Sequence, residues 1–194
     1  RYPTVGAGSD EDVQPFHVVF PNGVAMAHNG NVTNFLDLKR SLGLTGVRVS
    51  SSCDLEVILF VFARALAERV KPGEHLTPDD VFAAVSTVHE EVKGAYSVVA
   101  ILADGGMVAF RDPFGIKPVC FGEKTTEEGV WYACASESVV LAAIGYELLP
   151  PDPPGMAVFV DLAGNVHREQ LVEPQHHPCV FEYVYFARPD SYLE

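Results

Sequence analysis

The sequence lacks close cysteine pairs, an excess of positive charge and long apolar runs, and each absence excludes a class of protein. Cys53, Cys120, Cys134 and Cys179 form no Cys-x-x-Cys pair, which argues against a zinc ribbon or a disulfide scaffold and favours a reducing, cytoplasmic setting. Residues 57–63 form one of the longest apolar runs, far short of the roughly 20 residues that a bilayer span needs, so we expect no membrane partner. The 13 lysines and arginines against 26 aspartates and glutamates give a net charge of −13, which disfavours a nucleic-acid partner.

The 194 residues, 48% of them apolar, are enough for one domain with a sizeable core. Short β-prone runs lie between turn residues, and helical spacing of apolar residues appears in the first half of the chain. Hairpins with helices grouped between them predict an α+β fold with antiparallel sheets rather than a doubly wound parallel sheet. The predicted strands are 16–20, 24–28, 96–102, 107–111, 118–121, 130–135, 156–162 and 166–171, and helices are predicted to begin after Thr33-Asn34, Asp54, Thr77 and Ser136.

The densest polar motif is His28-Asn29-Gly30-Asn31, at the end of a predicted strand. Two interpretations are open. Asn29 and Gly30 can serve a strand-ending turn by supplying positive φ angles. Alternatively, the Asn29 side-chain amide and the Gly30 backbone amide can donate to one developing oxyanion.

Three other segments contain candidate functional residues. Arg1 offers a planar fork for a carboxylate, although a lone arginine is more often a solvated charge. Asp54 is placed to cap a helix or to pair with a substrate ammonium group. The run at 111–118 is typical of a tight turn. His176 and His177 have no second pair at metal-ligand spacing, so a zinc site has little support.

Seven segments, taken in order, are similar to those of one enzyme family. Together they resemble the glutaminase domain of the class II, or N-terminal-nucleophile, glutamine amidotransferases, and most closely the amidophosphoribosyltransferases. The HNG and RDPFG segments are typical of the whole superfamily, whereas FEYVYFARPDS is more particular to the purine enzymes. The segments are RYPTVG at 1–6, AHNGNVTN at 27–34, CDLE at 53–56, GAYSVV at 94–99, RDPFGIKPV at 111–119, ASES at 135–138 and FEYVYFARPDS at 181–191.

The resemblance implies a four-layer αββα sandwich, incomplete at the N-terminus. Residues 1–180 would form the amidotransferase domain, and residues 181–194 would begin the connection to a phosphoribosyltransferase domain outside this chain. The parent enzyme would hydrolyse glutamine to glutamate and ammonia, and transfer the ammonia to 5-phosphoribosyl 1-pyrophosphate in the first committed step of purine synthesis.

The resemblance also assigns roles to residues. Asn29 and Gly30 would form the oxyanion hole. The glutamine substrate would be held by Arg1 at its carboxylate, by Asp54 at its ammonium group, by Thr4 in the same pocket, and by a closing loop that carries Tyr2. The run CDLE differs from the SDSE-like run that is commoner in the family, but it keeps Asp54 and Glu56.

The family nucleophile is a cysteine at the mature N-terminus, whereas this chain begins at Arg1 and its first cysteine is Cys53. We therefore expect a piece of a longer, homo-oligomeric protein, inactive on its own. No cofactor is expected within the chain. The parent would carry Mg²⁺ at the phosphoribosyltransferase domain. Some relatives carry a 4Fe–4S cluster, for which Cys179 is a candidate ligand, although a lone cysteine is more often a small buried apolar residue. The alternatives are another class II amidotransferase with a different acceptor domain and a non-catalytic glutamine-binding module.

Overall fold

The computed structural model describes residues 10–71, 74–103 and 105–192. Four α-helices and nine strands are found in these ranges, with a 3-10 turn before the first strand and a π-helical turn near the end. The helices are α1 (Phe35–Leu44), α2 (Leu55–Arg69), α3 (Pro78–Glu91) and α4 (Ser138–Ala143). The strands are β1 (Phe16–Val18), β2 (Val24–Val32), β3 (Gly94–Leu102), β4 (Gly106–Arg111), β5 (Cys120–Thr126), β6 (Gly129–Ala135), β7 (Glu147–Leu148), β8 (Met156–Asp161) and β9 (Val166–Gln170).

The larger sheet has six antiparallel strands in the order β1-β2-β3-β4-β8-β9. Its longest pairing joins β2 to β3, from Val24 opposite Leu102 to Val32 opposite Gly94. Beyond Met26, β2 has no described neighbour on its other side, because β1 pairs only as far as that residue. The second half of β2 is therefore a sheet edge within the described residues.

Helices α1, α2 and α3 cover one face of this sheet. The sequence of α2 is apolar on nearly every side, and the helix is accordingly buried between α1, α3 and the strands β1 and β2. The main core lies between these helices and the sheet, with Met26, Phe62 and Phe110 among its fully buried side chains.

A second sheet, in the order β6-β5-β7, packs on the opposite face of the first. A smaller core joins the two sheets through Ala109 and Val158 of the first and Phe121 of the second. The next residue, Gly122, faces the other way and lies against Leu141 of α4, since successive strand residues point to opposite faces. The layers are thus helix, sheet, sheet, helix, and the predicted antiparallel α+β sandwich is confirmed.

Local turn and cap signals succeeded in two places, but the side-chain caps that the sequence suggests before α1 and α4 do not form. The Asn22-Gly23 turn joins β1 and β2, with Gly23 at φ +75°, and Thr77 caps α3 through a reciprocal capping box with Asp80. The predicted side-chain cap of α1 by Asn34 is wrong. Its amide instead donates to Glu91 O at 2.8 Å, because the end of α3 lies beside it.

None of the helices in the described ranges is both long enough and apolar enough to span a bilayer.

Candidate active site

The His28-Asn29-Gly30-Asn31 motif lies inside β2, not after it. The strand runs to Val32, four residues beyond its predicted end, and throughout the described chain only glycines have positive φ angles, Gly30 not among them. The interpretation of Asn29 and Gly30 as a positive-φ turn is therefore wrong. Pairing with β3 holds both residues in extended backbone.

The backbone amides of this strand alternate between its two sides. His28 N donates to Gln14 Oε1 at 2.8 Å, and Val32 N donates to Asp54 Oδ2 at 2.7 Å, both on the side away from β3. Because every second residue of a strand directs its N–H to the same side, the Gly30 amide also points to this edge, between the other two. Outside the sheet ladder, the described residues give that amide no backbone acceptor.

Position 30 has no room for a side chain. A Cβ atom built on Gly30 would lie 2.3 Å from Ala95 O and 2.8 Å from the Cα atom of Tyr96. These are backbone atoms of the neighbouring strand, so they cannot rotate out of the way. The glycine is required by the close approach of β3.

The Asn29 side chain points to the opposite face from His28, into the space between the two sheets. Its Nδ2 atom lies 3.5 Å from Ser136 Oγ, in the loop between β6 and α4. A cavity of about 190 Å³ opens here. Its walls are Ala27, His28, Asn29, Ser97, Val99, Val119, Cys134, Ala135 and Ser136.

Asp54 precedes α2 and is fully buried on the helix side of β2. Its Oδ1 atom lies 3.3 Å from His28 Nε2, and its Oδ2 atom accepts the hydrogen bond from Val32 N. The structure thus brings Asp54 to the strand that carries Asn29 and Gly30. It contacts the edge of that strand, whereas the Asn29 side chain occupies the other face. The remaining predicted glutamine ligands, Arg1, Tyr2 and Thr4, lie outside the described residues.

The loop before Asp54 is fixed by two buried acids that the sequence interpretation missed. Glu56 accepts hydrogen bonds from the backbone amides of Ser50 and Ser51, at 2.9 and 2.6 Å, and from both hydroxyl groups. Burial raises the pKa of Glu56, but these four donors outweigh it and leave the pKa below its ordinary value. Asp12 binds the amide and hydroxyl of Ser52 in the same way.

The run at 111–118 is a turn, as predicted, and it is organised by a buried carboxylate. Asp112 accepts from Tyr96 N at 3.1 Å and from Phe114 N at 2.9 Å, and Gly115 takes φ +64°. Burial raises the pKa of Asp112 above its ordinary value despite these donors. Asp112 therefore links the turn to β3 and has a structural role.

Three of the four thiols are unsuited to nucleophilic attack. Burial raises the pKa of Cys53, raises that of Cys120 to about 11 and raises that of Cys134 to about 12. A thiol at neutral pH in such surroundings is almost wholly protonated, and the thiolate is the reactive form. Cys134 lines the Asn29 cavity, but its protonation state disfavours a catalytic role.

A family model described as "Glutamine amidotransferase domain" matches residues 4–143 of this sequence. The match spans the motif strand β2, Asp54 and the strands β1 to β6. The chain belongs to the glutamine amidotransferase domain family.

Several curated relatives of this chain are longer proteins. Those named amidophosphoribosyltransferase include ones from Pseudomonas aeruginosa, 45% identical, and Escherichia coli, 41% identical, each covering 100% of this chain. The chain spans 39% of the length of each of these two relatives.

Two solved structures resemble it in fold. One is described as the allosteric regulatory enzyme of purine biosynthesis, with a TM-score of 0.76, 28% identity, and coverage of 97% of this chain and 38% of its own. The other is the glutamine phosphoribosylpyrophosphate amidotransferase from B. subtilis complexed with ADP and GMP, with a TM-score of 0.75, 28% identity, and coverage of 96% of this chain and 38% of its own.

The last described segment of the chain presents many exposed apolar side chains around the π-helical turn Glu182–Phe186. Its far end is tied to the loop after β6, where Glu137 Oε2 accepts from Arg188 N at 3.0 Å and from Ser191 Oγ at 2.8 Å. The exposed residues are Val180, Phe181, Tyr183, Val184, Tyr185, Phe186 and Tyr192.

Cys179 lies just before this segment and is partly buried. Among the described residues, no three histidine, cysteine, aspartate or glutamate side chains are grouped so that they could hold a metal ion. Cys179 therefore does not have the ligand set of an iron–sulfur cluster within the described chain, and the cluster and Mg²⁺ stay predictions about the parent.

Proposed function

We propose that this chain is the glutamine-hydrolysing domain of an amidophosphoribosyltransferase. In that reaction a thiolate attacks the amide carbon of glutamine, ammonia leaves, and water hydrolyses the thioester to glutamate. The ammonia then displaces pyrophosphate from 5-phosphoribosyl 1-pyrophosphate and gives phosphoribosylamine. The names of the relatives and the shared fold support this assignment.

The observation that carries the proposal is the Gly30 amide at the edge of β2. It points out of the sheet between two amides whose acceptors are already fixed. A tetrahedral intermediate places negative charge on the former carbonyl oxygen, and a rigid N–H donor directed at that oxygen stabilises it without reorganisation. The Asn29 side-chain amide is proposed as the second donor.

Asp54 is proposed to attract the ammonium group of glutamine. Among the described residues it contacts His28, Val32 N and, at 4.0 Å, the Cys53 thiol, but an ionised carboxylate offers about four acceptor positions, so a further donor can be accommodated. Arg1 is proposed to bind the substrate carboxylate in a bidentate pair, with Thr4 and Tyr2 beside it, as the family resemblance implies.

The nucleophile is proposed to be the N-terminal cysteine of the family rather than any of the four cysteines in this chain. The raised pKa values of Cys53, Cys120 and Cys134 support this assignment. Residues 181–194 are proposed to lead into the phosphoribosyltransferase domain, which would bind the sugar pyrophosphate with Mg²⁺. We also propose a cytoplasmic location, consistent with four free cysteines.

The proposal is tested by replacing Asn29 in the full-length protein. Loss of one oxyanion donor costs on the order of 10²–10³ in kcat in other enzymes, so Asn29→Ala is expected to lower glutamine-dependent kcat by that order with little change in KM. Asn29→Asp is expected to be at least as harmful, because its carboxylate repels the developing charge. Ammonia-dependent synthesis serves as the control and should persist in both variants. Equal loss with glutamine and with ammonia would contradict an oxyanion role.

A further inference from the structure

Gln14 lies outside every motif, yet it makes the closest contacts to the start of the catalytic motif. Its Oε1 atom accepts from His28 N at 2.8 Å, and its Nε2 atom lies 3.1 Å from His28 Nδ1. The same Nε2 atom lies 3.8 Å from Cys53 Sγ. Gln14 and His28 are both buried, so these contacts are shielded from water.

The contacts determine the proton arrangement of His28. A backbone N–H can only donate, so the atom of Gln14 that faces it must be the carbonyl oxygen, and the atom that faces His28 Nδ1 must be the NH₂ group. His28 Nδ1 is then an acceptor, and the neutral ring carries its proton on Nε2. That atom lies 3.3 Å from Asp54 Oδ1.

The resulting chain, Gln14 to His28 to Asp54, holds β2 at two points on the same edge. Gln14 fixes the amide of His28, and Asp54 fixes the amide of Val32, two residues to either side of Gly30. The side-chain contact of His28 with Asp54 joins the two fixed points. A shift of either point would move the Gly30 amide, and displacements of about 1 Å can cost around 10²-fold in rate.

We propose that Gln14 and His28 are positioning residues for glutamine hydrolysis, which set the direction of the Gly30 amide and the placement of Asp54. This rests on the proposed function of the chain. Neither side chain touches the substrate in this arrangement. Both act through the edge of β2.

The charged and titratable groups around His28 come from two elements. Among the described residues, Asp54 faces His28 from the loop before α2, the neighbouring Cys53 contacts Gln14, and Asp12 reaches the same loop through Ser52. The uncharged side chain of Gln14 lies against Nδ1, on the other side of the His28 ring. A carboxylate in place of Gln14 would leave His28 between two acids.

The test compares two substitutions of Gln14 in the full-length protein across a range of pH. Gln14→Glu keeps the acceptor for His28 N but loses the donor to Nδ1, so the contacts of both ring nitrogens survive together only when both carry protons. Its glutamine-dependent kcat, relative to the wild type, is therefore expected to fall about tenfold to 10²-fold at high pH and to recover at lower pH. Gln14→Met removes both contacts, and the resulting loss of glutamine-dependent kcat should be similar at every pH.

Gln170→Glu is the matched control, because Gln170 also donates two side-chain hydrogen bonds, to Pro154 O and Val172 O, but lies in β9. It should keep the wild-type pH profile, and ammonia-dependent synthesis should persist in all three variants. If Gln14→Glu and Gln14→Met share one pH profile, or lose ammonia-dependent synthesis equally, the positioning role is overturned.

A second measurement separates this proposal from the proposed function. The ¹⁵N chemical shifts of His28 in the wild-type protein should report the Nε2–H tautomer, whatever the enzyme turns over. An Nδ1–H tautomer would overturn the inference even in an active enzyme. A wild-type protein with no glutamine hydrolysis would overturn the proposed function instead, with the tautomer still measurable.

Discussion

Replacing Gly30 with alanine tests the close approach of β2 and β3 directly. The new methyl carbon would lie 2.3 Å from Ala95 O and 2.8 Å from the Cα atom of Tyr96. Both atoms belong to the backbone of β3, within the longest strand pairing of the larger sheet. The two strands must therefore separate locally, and the hydrogen bonds around Gly30 must lengthen.

Inserting a methyl group into a packed site typically costs about 1–3 kcal/mol. Both contacting atoms here are backbone atoms, so we expect a loss of stability at the upper end of this range, about 3 kcal/mol. For a chain of this size that corresponds to a melting temperature lower by about 6–12 °C. Glutamine hydrolysis should fall as well, since the Gly30 amide lies at the displaced edge.

Gly43→Ala is the matched control for this substitution. Gly43 lies in α1 with no atom within 4 Å of a built Cβ, so alanine should stabilise the chain by about 0.5–1 kcal/mol. Urea unfolding, followed by the fluorescence of Trp131, the one tryptophan in the sequence, would measure both variants. Unchanged stability in Gly30→Ala would refute the argument that β3 leaves no room for a side chain at this position.

Two other predictions follow from the titration of buried groups. Glu56→Gln should destabilise the fold by about 1.5–3 kcal/mol at pH 7, because a charged acceptor of four hydrogen bonds is lost. The pKa of Glu56 is lowered in the fold, so its contribution to stability is fully present above the unfolded pKa of 4.5 and is lost as pH falls through the lower folded value. Urea unfolding should therefore show a smaller stability difference between variant and wild type at pH 3 than at pH 7. Cys134→Ala and Cys120→Ala in the full-length protein should leave glutamine-dependent kcat largely unchanged, because both thiols are protonated at neutral pH. Loss of turnover in either cysteine variant, with stability intact, would show that the nucleophile had been misassigned.

Much of the secondary structure could be predicted from the sequence. The Asn22-Gly23 hairpin and the Thr77 cap are encoded within four or five residues, and the structure has both. Helices were predicted to begin after Asp54 and Thr77, and α2 and α3 begin at the residues that follow, Leu55 and Pro78. The seven motif segments also predicted the family, which the family model and the relatives confirm.

The candidate site could be predicted only in part. Asn29, Gly30 and Asp54 stand in recognisable motifs, but their roles as oxyanion donors and ammonium partner stay predictions. Gln14 has no local signal, because its contacts are to His28 and Cys53, which lie 14 and 39 residues away. The one available hint was that His28 falls on the same alternating positions as the buried residues of β2.

The sequence by itself determined the Asn22-Gly23 turn, the Thr77 cap and the order of most helices and strands, because these depend on backbone preferences of neighbouring residues. Only the tertiary structure decided the conformation of Asn29 and Gly30. A local Asn-Gly preference for a turn is overridden by pairing with β3, 66 positions further along at the Gly30–Tyr96 pair. It also decided which side of β2 is an open edge, and that Gln14 and Asp54 accept from the amides there, since those contacts form between segments that no local pattern relates.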